Sequence, residues 1–204
     1  MKKTVIIDYG MGNLDSVRRA CEECGSNAVI SSDYRDLSKA CYIVLPGVGS
    51  FRDGMDNIRK LGLYDELREQ VINQKIPFLG ICLGMQLMAS TGHEGGLTSG
   101  FDWIKGYVNR LNPCSSERIP HIGWNEVHAK KDSVLFKNIE DGRDFYFVHS
   151  YALECERPDD ILARTPYCGG FTSAVESENI FGVQFHPEKS QKNGFKLLSN
   201  FLNL

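Results

Sequence analysis

The chain is 204 residues long, with 42% apolar and 24% charged residues, which suits one globular domain spanning residues 1–204. A net charge of −3 at pH 7 excludes the basic field of a nucleic-acid-binding protein, and no apolar run approaches the ~20 residues of a membrane span. The first residues lack the pattern of an export signal, so we expect a cytoplasmic protein whose seven cysteines are reduced.

Strand and helix patterns alternate through the first half of the chain. Apolar, strand-like runs occur at residues 4–8, 28–31, 42–45 and 76–81, and helical periodicity covers residues 14–24, 35–39, 53–59 and 63–73. This order predicts an α/β fold with a doubly wound, mostly parallel sheet. Functional sites in such sheets lie beyond the carboxyl ends of the strands, where residues 9–13, residues 46–50 and Cys82 fall.

Cys21 and Cys24 form a Cys-x-x-Cys pair of the kind found in zinc and redox sites. The pair lies at the end of a helical pattern that includes Leu14 and Val17, and Gly25 closes this helix. A zinc site needs further ligands, and no second cysteine pair completes one. We therefore interpret both cysteines as helix-packing residues.

A Gly-x-Cys-x-Gly pattern stands at the junction of an apolar strand and a helix. The strand ends at Cys82, good helix formers follow, and Gly80 and Gly84 flank the cysteine. This pattern is typical of a nucleophile elbow, a sharp turn that presents its central side chain. The helix dipole favours a thiolate at that place, and the N–H of Leu83 is placed to bind a developing oxyanion. A buried structural cysteine is the alternative.

The second half of the chain has a different pattern. Residues 92–100 have the composition of a flexible loop. Short strands separated by turns follow at residues 104–111, 123–128, 145–153, 161–163, 171–176 and 180–185, and they predict antiparallel additions to the sheet. An amphipathic helix at residues 193–202 ends the chain. His121 and His128 lack acidic companions, so we expect no metal site at this pair.

The last strand pattern leads into His186-Pro187-Glu188. In an extended chain residues two apart point to the same side, so His186 and Glu188 share a face. A cysteine nucleophile needs a base to take its proton, and the base needs a carboxylate that fixes its tautomer. Cys82, His186 and Glu188 therefore form a candidate catalytic triad.

Several motifs together resemble one enzyme family. G-I-C-L-G-M-Q at 80–86, P-G-V-G at 46–49 and Q-F-H-P-E-K-S at 184–190 are similar to segments of the class I, Cys-His-Glu, glutamine amidotransferases. D-Y-G-M-G-N-L at 8–14, P-H-I-G-W-N at 120–125 and F-Y-F-V-H-S-Y at 145–151 resemble one branch, the glutaminase subunits of imidazole glycerol phosphate synthase in histidine biosynthesis. The resemblance runs from about Lys3 to Leu202. It implies a flavodoxin-like fold and a glutaminase that requires neither metal nor cofactor.

The resemblance also implies roles for individual residues. It places the second part of an oxyanion hole at Val48 or Gly49, which joins the N–H of Leu83. Many relatives in the class have an all-glycine-like version of this loop, so Val48 raises the question whether the hole is formed without a partner. The residues that the resemblance assigns to glutamine binding are Gly47, Gln86, Glu94, Ser150 and Tyr151.

The resemblance implies a partner that consumes the ammonia. In the family this partner is a (β/α)8-barrel cyclase, and Asn13, Trp124 and Lys189 match positions that face it. Two alternatives stay open. One is a paralogous subunit that supplies ammonia to an amidotransferase acting on surface-polysaccharide sugars, and the other is an independent Cys-His hydrolase. The residues of the glutaminase half do not distinguish the paralogous subunit from the histidine-pathway subunit, because only the partner differs.

Overall fold

The computed structural model describes residues 2–114, 117–130 and 132–204. The strands in these ranges form two sheets. They are β1 (Lys3–Ile7), β2 (Asn27–Ser31), β3 (Tyr42–Gly47), β4 (Phe78–Cys82), β5 (Ala89–Gly92), β6 (Thr98–Ser99), β7 (Ile104–Arg110), β8 (His121–Ala129), β9 (Arg143–His149), β10 (Tyr151–Cys155), β11 (Ile161–Thr165), β12 (Phe171–Ser177) and β13 (Ile180–Val183).

Helices cover both faces of the larger sheet. They are α1 (Leu14–Glu23), α2 (Phe51–Lys60), α3 (Leu63–Arg68), α4 (Leu83–Gln86) and α5 (Gln191–Phe201), with 3₁₀ turns at Tyr34–Lys39, Pro158–Asp160 and Pro187–Lys189 and a π turn at Glu69–Asn73. Within the described ranges no helix is long and apolar enough to cross a membrane.

The larger sheet is mixed. Its strand order is β2-β1-β3-β4-β13-β12-β11-β8-β9, and the five strands from β2 to β13 are parallel. The strands from β12 to β9 pair in antiparallel fashion. The smaller sheet has the order β10-β7-β5-β6. The prediction of a doubly wound α/β fold with antiparallel additions is confirmed, because the later strands both extend the parallel sheet and build a second one.

The parallel half of the sheet is buried on both faces. Ile6 of β1 belongs to an apolar cluster that includes side chains from α1 and α5, whereas its neighbours Val5 and Ile7 belong to a second cluster with side chains from α2 and α3. This division follows from the alternation of side chains along a strand. The helices on the two faces therefore hold the carboxyl ends of β3 and β4 side by side.

Most predicted elements are present with ends within two residues of those expected, but the segment 145–153 is not one strand. It divides at Ser150 into β9 and β10, which join different sheets. His149 of β9 pairs with His121 of β8, whereas Tyr151 of β10 pairs with Arg110 of β7. The chain changes sheets at this point, and periodicity alone does not register such a change because both pieces are extended.

The segment after the elbow also differs from the prediction. Helix α4 ends at Gln86, and residues 89–92 are strand β5. The expected flexible loop at 92–100 is a hairpin in which β5 pairs with β6. Its tip is held against α2, where Arg52 Nη2 donates to the carbonyl of Gly95 over 2.9 Å and Arg59 Nη2 to that of Ser99 over 2.8 Å.

Two further predictions of regular structure need correction. The helix expected at 63–73 continues beyond Arg68 as a π turn, where Gln74 N–H donates to the carbonyl of Glu69. The side-chain amide of Asn179 also donates to the carbonyl of Val71 over 2.9 Å. The strand expected to run to residue 185 ends as β13 at Val183, and residues 187–189 form a 3₁₀ turn instead of continuing in extended form.

Candidate active site

The junction of β4 and α4 is a strained turn centred on Cys82. Cys82 has φ 53° and ψ −108°, a conformation that costs about 1–3 kcal/mol for a residue other than glycine. Gly84 is required at this turn because a Cβ there would lie 1.7 Å from the carbonyl oxygen of Leu45. At Gly80 a Cβ would lie 2.6 Å from the carbonyl oxygen of Gly84. The predicted elbow is therefore formed, with strand and helix in close approach.

The thiol of Cys82 is buried but not isolated. Its Sγ lies 3.9 Å from the carbonyl oxygen of Val148 and accepts a hydrogen bond from Gln184 Nε2 at 3.6 Å. The N–H of Leu83, the first residue of α4, has no partner within the helix. This backbone donor directly follows Cys82, and its role as half of an oxyanion hole stays a prediction.

His186 and Glu188 form a buried pair next to the elbow. His186 Nδ1 lies 2.8 Å from Glu188 Oε1, and both side chains are almost fully buried. Burial lowers the pKa of the His186 imidazole, but the interactions with Cys82 and Glu188 outweigh burial and raise the pKa. Within the described residues His186 Nε2 has no hydrogen-bond partner. The imidazole therefore has its orienting contact on one nitrogen and a free nitrogen for proton transfer.

The turn that carries this pair is anchored to β9. His186 N–H donates to the carbonyl of Tyr146 at 2.9 Å. The hydroxyl of Ser190 donates to the carbonyl of His186 at 2.6 Å and accepts from Tyr146 N–H at 3.0 Å. The 3₁₀ turn between these contacts brings Glu188 back to the imidazole. The two side chains meet as predicted, although a turn and not a continuing strand brings them together.

A cavity of about 430 Å³ opens in front of the thiol. This volume is within the usual range for sites that bind small molecules. The residues that line it are Val48, Gly49, Ser50, Cys82, Leu83, Gln86, Glu94, Val148, His149, Ser150 and Tyr151. All the residues that the sequence assigned to the oxyanion hole and all but one of those assigned to glutamine are among them.

Gly47 is the exception. It ends β3 opposite Cys82 in the sheet register and lies outside the cavity lining. A Cβ at Gly47 would lie 1.9 Å from the hydroxyl oxygen of Tyr9, so the tyrosine ring packs directly under this glycine. Gly47 therefore lies immediately before the cavity-lining Val48, and its contact with glutamine stays a prediction.

Gln86 and Glu94 both present polar groups to the cavity. Gln86 Nε2 donates to the carbonyl of Tyr151 at 2.8 Å and to Gln184 Oε1 at 3.0 Å. Glu94 Oε2 accepts from Phe51 N–H at 2.9 Å, which places a carboxylate at the N-terminus of α2. This contact holds the Glu94 carboxylate in place at the cavity.

A buried pair of histidines borders the cavity, and His149 is part of its lining. His121 Nδ1 is 3.0 Å from His149 Nε2, and His149 Nδ1 donates to the carbonyl of Tyr151 at 2.8 Å. Burial lowers the pKa of His149 to about 3 and that of His121 to about 4. Both rings are therefore neutral near pH 7. Sequence analysis did not predict this pairing, because it joins residues of two different strands.

Two of the three residues expected to face a partner share one exposed patch. Trp124 is 46% exposed, and its ring centroid lies 6.0 Å from that of Tyr146. Lys189 Nζ lies 5.8 Å from the centroid of the Tyr146 ring. We call Trp124, Tyr146 and Lys189 the Trp124 patch. The third residue, Asn13, is exposed immediately before α1.

Gln184 is a residue of the site that the sequence analysis did not single out. Its side chain reaches both Cys82 and Gln86. The signal was present, because Gln184, His186 and Glu188 are spaced two apart and the alternation that joined the last two extends to the first. The apolar neighbours on either side of Gln184 instead favour the interpretation of a core-packing residue.

Comparison with known proteins agrees with this geometry. The family model for glutamine amidotransferase class-I matches residues 5–204. The chain is 45% identical over 199 residues to "Imidazole glycerol phosphate synthase subunit HisH 1" of Campylobacter jejuni (strain RM1221), covering 98% of both chains. It is 47% identical over 200 residues to "Imidazole glycerol phosphate synthase subunit HisH" of Aquifex aeolicus (strain VF5), covering 98% of this chain and 95% of the relative.

Solved structures support the fold. One titled "Structure of PurLQS from Thermotoga maritima" aligns with a TM-score of 0.77 and 21% identity, over 100% of this chain and 99% of that one. Another, titled "Crystal structure of glutamine amidotransferase", aligns with a TM-score of 0.76 and 17% identity, over 98% of this chain and 97% of that one.

Proposed function

This chain belongs to the class-I glutamine amidotransferase family, and we propose that it is the glutaminase subunit of an imidazole glycerol phosphate synthase in histidine biosynthesis. It hydrolyses glutamine to glutamate and ammonia, and a partner subunit takes up the ammonia. The observation that carries this proposal is the strained elbow at Cys82, which stands at a ligand-sized cavity beside the His186–Glu188 pair.

The chemistry begins with attack of the Cys82 thiolate on the carboxamide carbon of glutamine. Leu83 N–H and an N–H at Val48 or Gly49 stabilise the oxyanion that forms as the carbonyl bond opens. His186 Nε2, which has no competing partner among the described residues, gives a proton to the leaving nitrogen and ammonia departs. The carbonyl carbon is then bound to sulfur as a γ-glutamyl thioester.

Water completes the cycle. His186 takes a proton from a water molecule, and the resulting hydroxide adds to the thioester carbonyl. The second oxyanion that forms accepts hydrogen bonds from the same backbone donors. Its collapse breaks the carbon–sulfur bond and releases glutamate. Glu188 keeps the imidazole in one orientation throughout, since it holds Nδ1 and leaves Nε2 for proton transfer.

The polar groups around the cavity fit the two ends of the glutamine main chain. Glu94 supplies negative charge for the α-amino group, and backbone groups at Ser150 and Tyr151 receive the α-carboxylate. Gln86 also lines the cavity, with both N–H groups of its amide engaged by the protein and Oε1 left for the ligand. This arrangement orients the carboxamide toward Cys82.

A partner is required by the chemistry as well as by the names of the relatives. Free ammonia is protonated in water to ammonium, which is not a nucleophile, so the product has to pass directly to the enzyme that uses it. We infer that the partner is a (β/α)8-barrel cyclase in the cytoplasm and that it docks at Asn13 and the Trp124 patch. The exposed aromatic ring of Trp124 suits an interface, because such rings are enriched there.

A glutamine analogue that bears an electrophilic diazo ketone tests the site. We expect one adduct per chain, and peptide mapping should place it on Cys82. Cys41 and Cys114 are exposed thiols outside the site and serve as internal controls that stay unlabelled. Adducts distributed over several cysteines would contradict a specially activated thiol at the elbow.

The identity of the partner needs a separate experiment. The purified chain is mixed with the histidine-pathway cyclase, and complex formation is followed by analytical ultracentrifugation. We expect a one-to-one complex. In this complex the amide nitrogen of glutamine should be incorporated into the cyclase product. Failure to form this complex, with glutamine hydrolysis intact, would favour the subunit that serves sugar amidotransferases.

A further inference from the structure

Gln184 is a buried amide whose surroundings determine its orientation. The residue is fully buried, and its backbone N–H continues the pairing with β12 by donating to the carbonyl of Ser173 at 2.9 Å. A side-chain amide in such a place needs partners for its donors and its acceptor, because an unpaired buried polar group is costly. Its partners are two residues of the site, Gln86 and Cys82.

The orientation of both amides follows from one carbonyl. The oxygen of Tyr151 accepts only, so the group of Gln86 that lies 2.8 Å from it must be the Nε2 donor. The same nitrogen then donates its second proton to Gln184 Oε1 at 3.0 Å. Gln184 is left with its Nε2 toward the sulfur of Cys82, 3.6 Å away.

The Tyr151 carbonyl is itself fixed. It also accepts from His149 Nδ1 at 2.8 Å, and His149 is held in turn by His121. If the side-chain amide of Gln86 were flipped, its Oε1 would face the carbonyl oxygen of Tyr151, and both atoms are acceptors. The direction of the hydrogen bonds toward Cys82 is therefore imposed by the fold behind the cavity.

We propose that Gln184 is a positioning residue of the nucleophile: its amide donates to the Cys82 sulfur, favours the thiolate, and links that sulfur to Gln86 in the cavity. This inference deepens the proposed function and rests on it, since it takes Cys82 to be the attacking group. The His186 imidazole and the Tyr9 hydroxyl also interact with this sulfur. The amide adds to them, because an N–H donor interacts more strongly with an anion than with a neutral thiol.

The link has a second consequence for the reacting enzyme. A ligand that engages Gln86 is joined to the sulfur through two hydrogen bonds, so occupation of the cavity and the position of the nucleophile are coupled. Loss of Gln184 should therefore lower kcat with a smaller change in KM, because the ligand contacts at Gln86 and Glu94 remain while the thiolate is less available.

The test is the pH dependence of Cys82 alkylation by iodoacetamide in the full chain, with the labelled peptide quantified by mass spectrometry. In Gln184→Leu we expect the midpoint of labelling to move up by about one pH unit, since one hydrogen bond to the thiolate is lost. Gln184→Glu keeps an acceptor for Gln86 but replaces the donor by a carboxylate, so its midpoint should move up further.

Gln70→Leu is the matched control. Gln70 is also a buried glutamine, and its side-chain amide donates to Glu66 in α3. Its midpoint should stay at the wild-type value. An unchanged midpoint in Gln184→Leu would overturn the proposal. If Gln184→Leu fails to fold, Gln184→Met, which has a similar length and volume and also lacks the donor, decides in the same way.

Alkylation requires no glutamine, so the two proposals fail separately. A chain whose Cys82 responds to Gln184 as expected but does not hydrolyse glutamine would contradict the proposed function alone. A chain that hydrolyses glutamine while its alkylation profile ignores Gln184 would contradict only the positioning role.

Discussion

The backbone N–H of His186 donates to the carbonyl of Tyr146 over 2.9 Å, while the ring of Tyr146 contacts Trp124 on the outer surface. Tyr146 thus contacts the backbone of the proposed base through its carbonyl and forms part of the exposed Trp124 patch through its ring. The proposed docking surface and the strand that positions the proposed base therefore share Tyr146.

The exposed ring of Trp124 should contribute strongly to partner binding. We expect Trp124→Ala to weaken the complex with the cyclase by about thirtyfold, as for a buried tryptophan at an interface. Titration calorimetry measures the change. Tyr34→Ala is the control, because Tyr34 is half exposed beside β2, at the opposite end of the sheet from β9. Equal binding by Trp124→Ala and wild type would place the interface elsewhere.

The base and its orienting carboxylate should differ in importance. His186→Ala removes the group that transfers protons, whereas Glu188→Gln leaves an imidazole in place, so we expect the first to lose about tenfold to a hundredfold more glutaminase activity than the second. Steady-state glutamate release gives both values. Glu178→Gln, an exposed glutamate paired with Lys75, should behave as wild type. A reversed order would assign the orienting role to another acid.

The side chain at Val48 should limit the activity of the isolated chain. The resemblance to the family implies that the peptide near Val48 reorients to complete the oxyanion hole, and loss of one such donor costs about 10²–10³ in rate. Glycine makes the reorientation easier, so Val48→Gly should raise glutamate release by the lone chain and reduce its stimulation by a loaded cyclase. Full activity of the wild-type chain without a partner would contradict this coupling.

The buried histidine pair should make the fold sensitive to acid. The pKa of His149 is lowered to about 3 and that of His121 to about 4, against an ordinary value of about 6.5 in the unfolded chain. The unfolded state therefore binds more protons below pH 6.5, and the free energy of unfolding falls as the pH decreases from about 6.5 to about 4.

Urea unfolding at pH 7 and pH 5 measures this effect. We expect His149→Asn to lose less stability between the two values than the wild type, whatever its stability at pH 7. His93→Gln changes an exposed histidine and should keep the wild-type difference. An identical pH dependence in His149→Asn and wild type would mean that other groups cause the acid sensitivity.

The sequence predicted the fold because its signals are local. The alternation of apolar runs and helical periods indicates a parallel sheet with helices on both faces, and the glycines around Cys82 predict the elbow because only they allow so close an approach of strand and helix. The pairing of His186 with Glu188 was also a local prediction, since the two residues are separated by one proline.

The features that the sequence did not predict depend on residues far apart in the chain. His121 meets His149 only because β8 and β9 pair in one register, and Gln184 reaches Gln86 only because β13 lies beside β4. The division of residues 145–153 between two sheets has the same cause. Hydrophobic periodicity does not encode strand register, so these contacts needed the structure.

Attack by the Cys82 thiol releases the ammonia from the carboxamide of glutamine, and this step is the centre of the proposed function. The most direct measurement compares the Cys82→Ala complex with the wild-type complex, using glutamine or an ammonium salt as nitrogen source for the cyclase reaction. We predict that Cys82→Ala abolishes the glutamine-dependent reaction and leaves the ammonium-dependent reaction at the wild-type rate. Substantial glutamine-dependent turnover by Cys82→Ala would contradict the account.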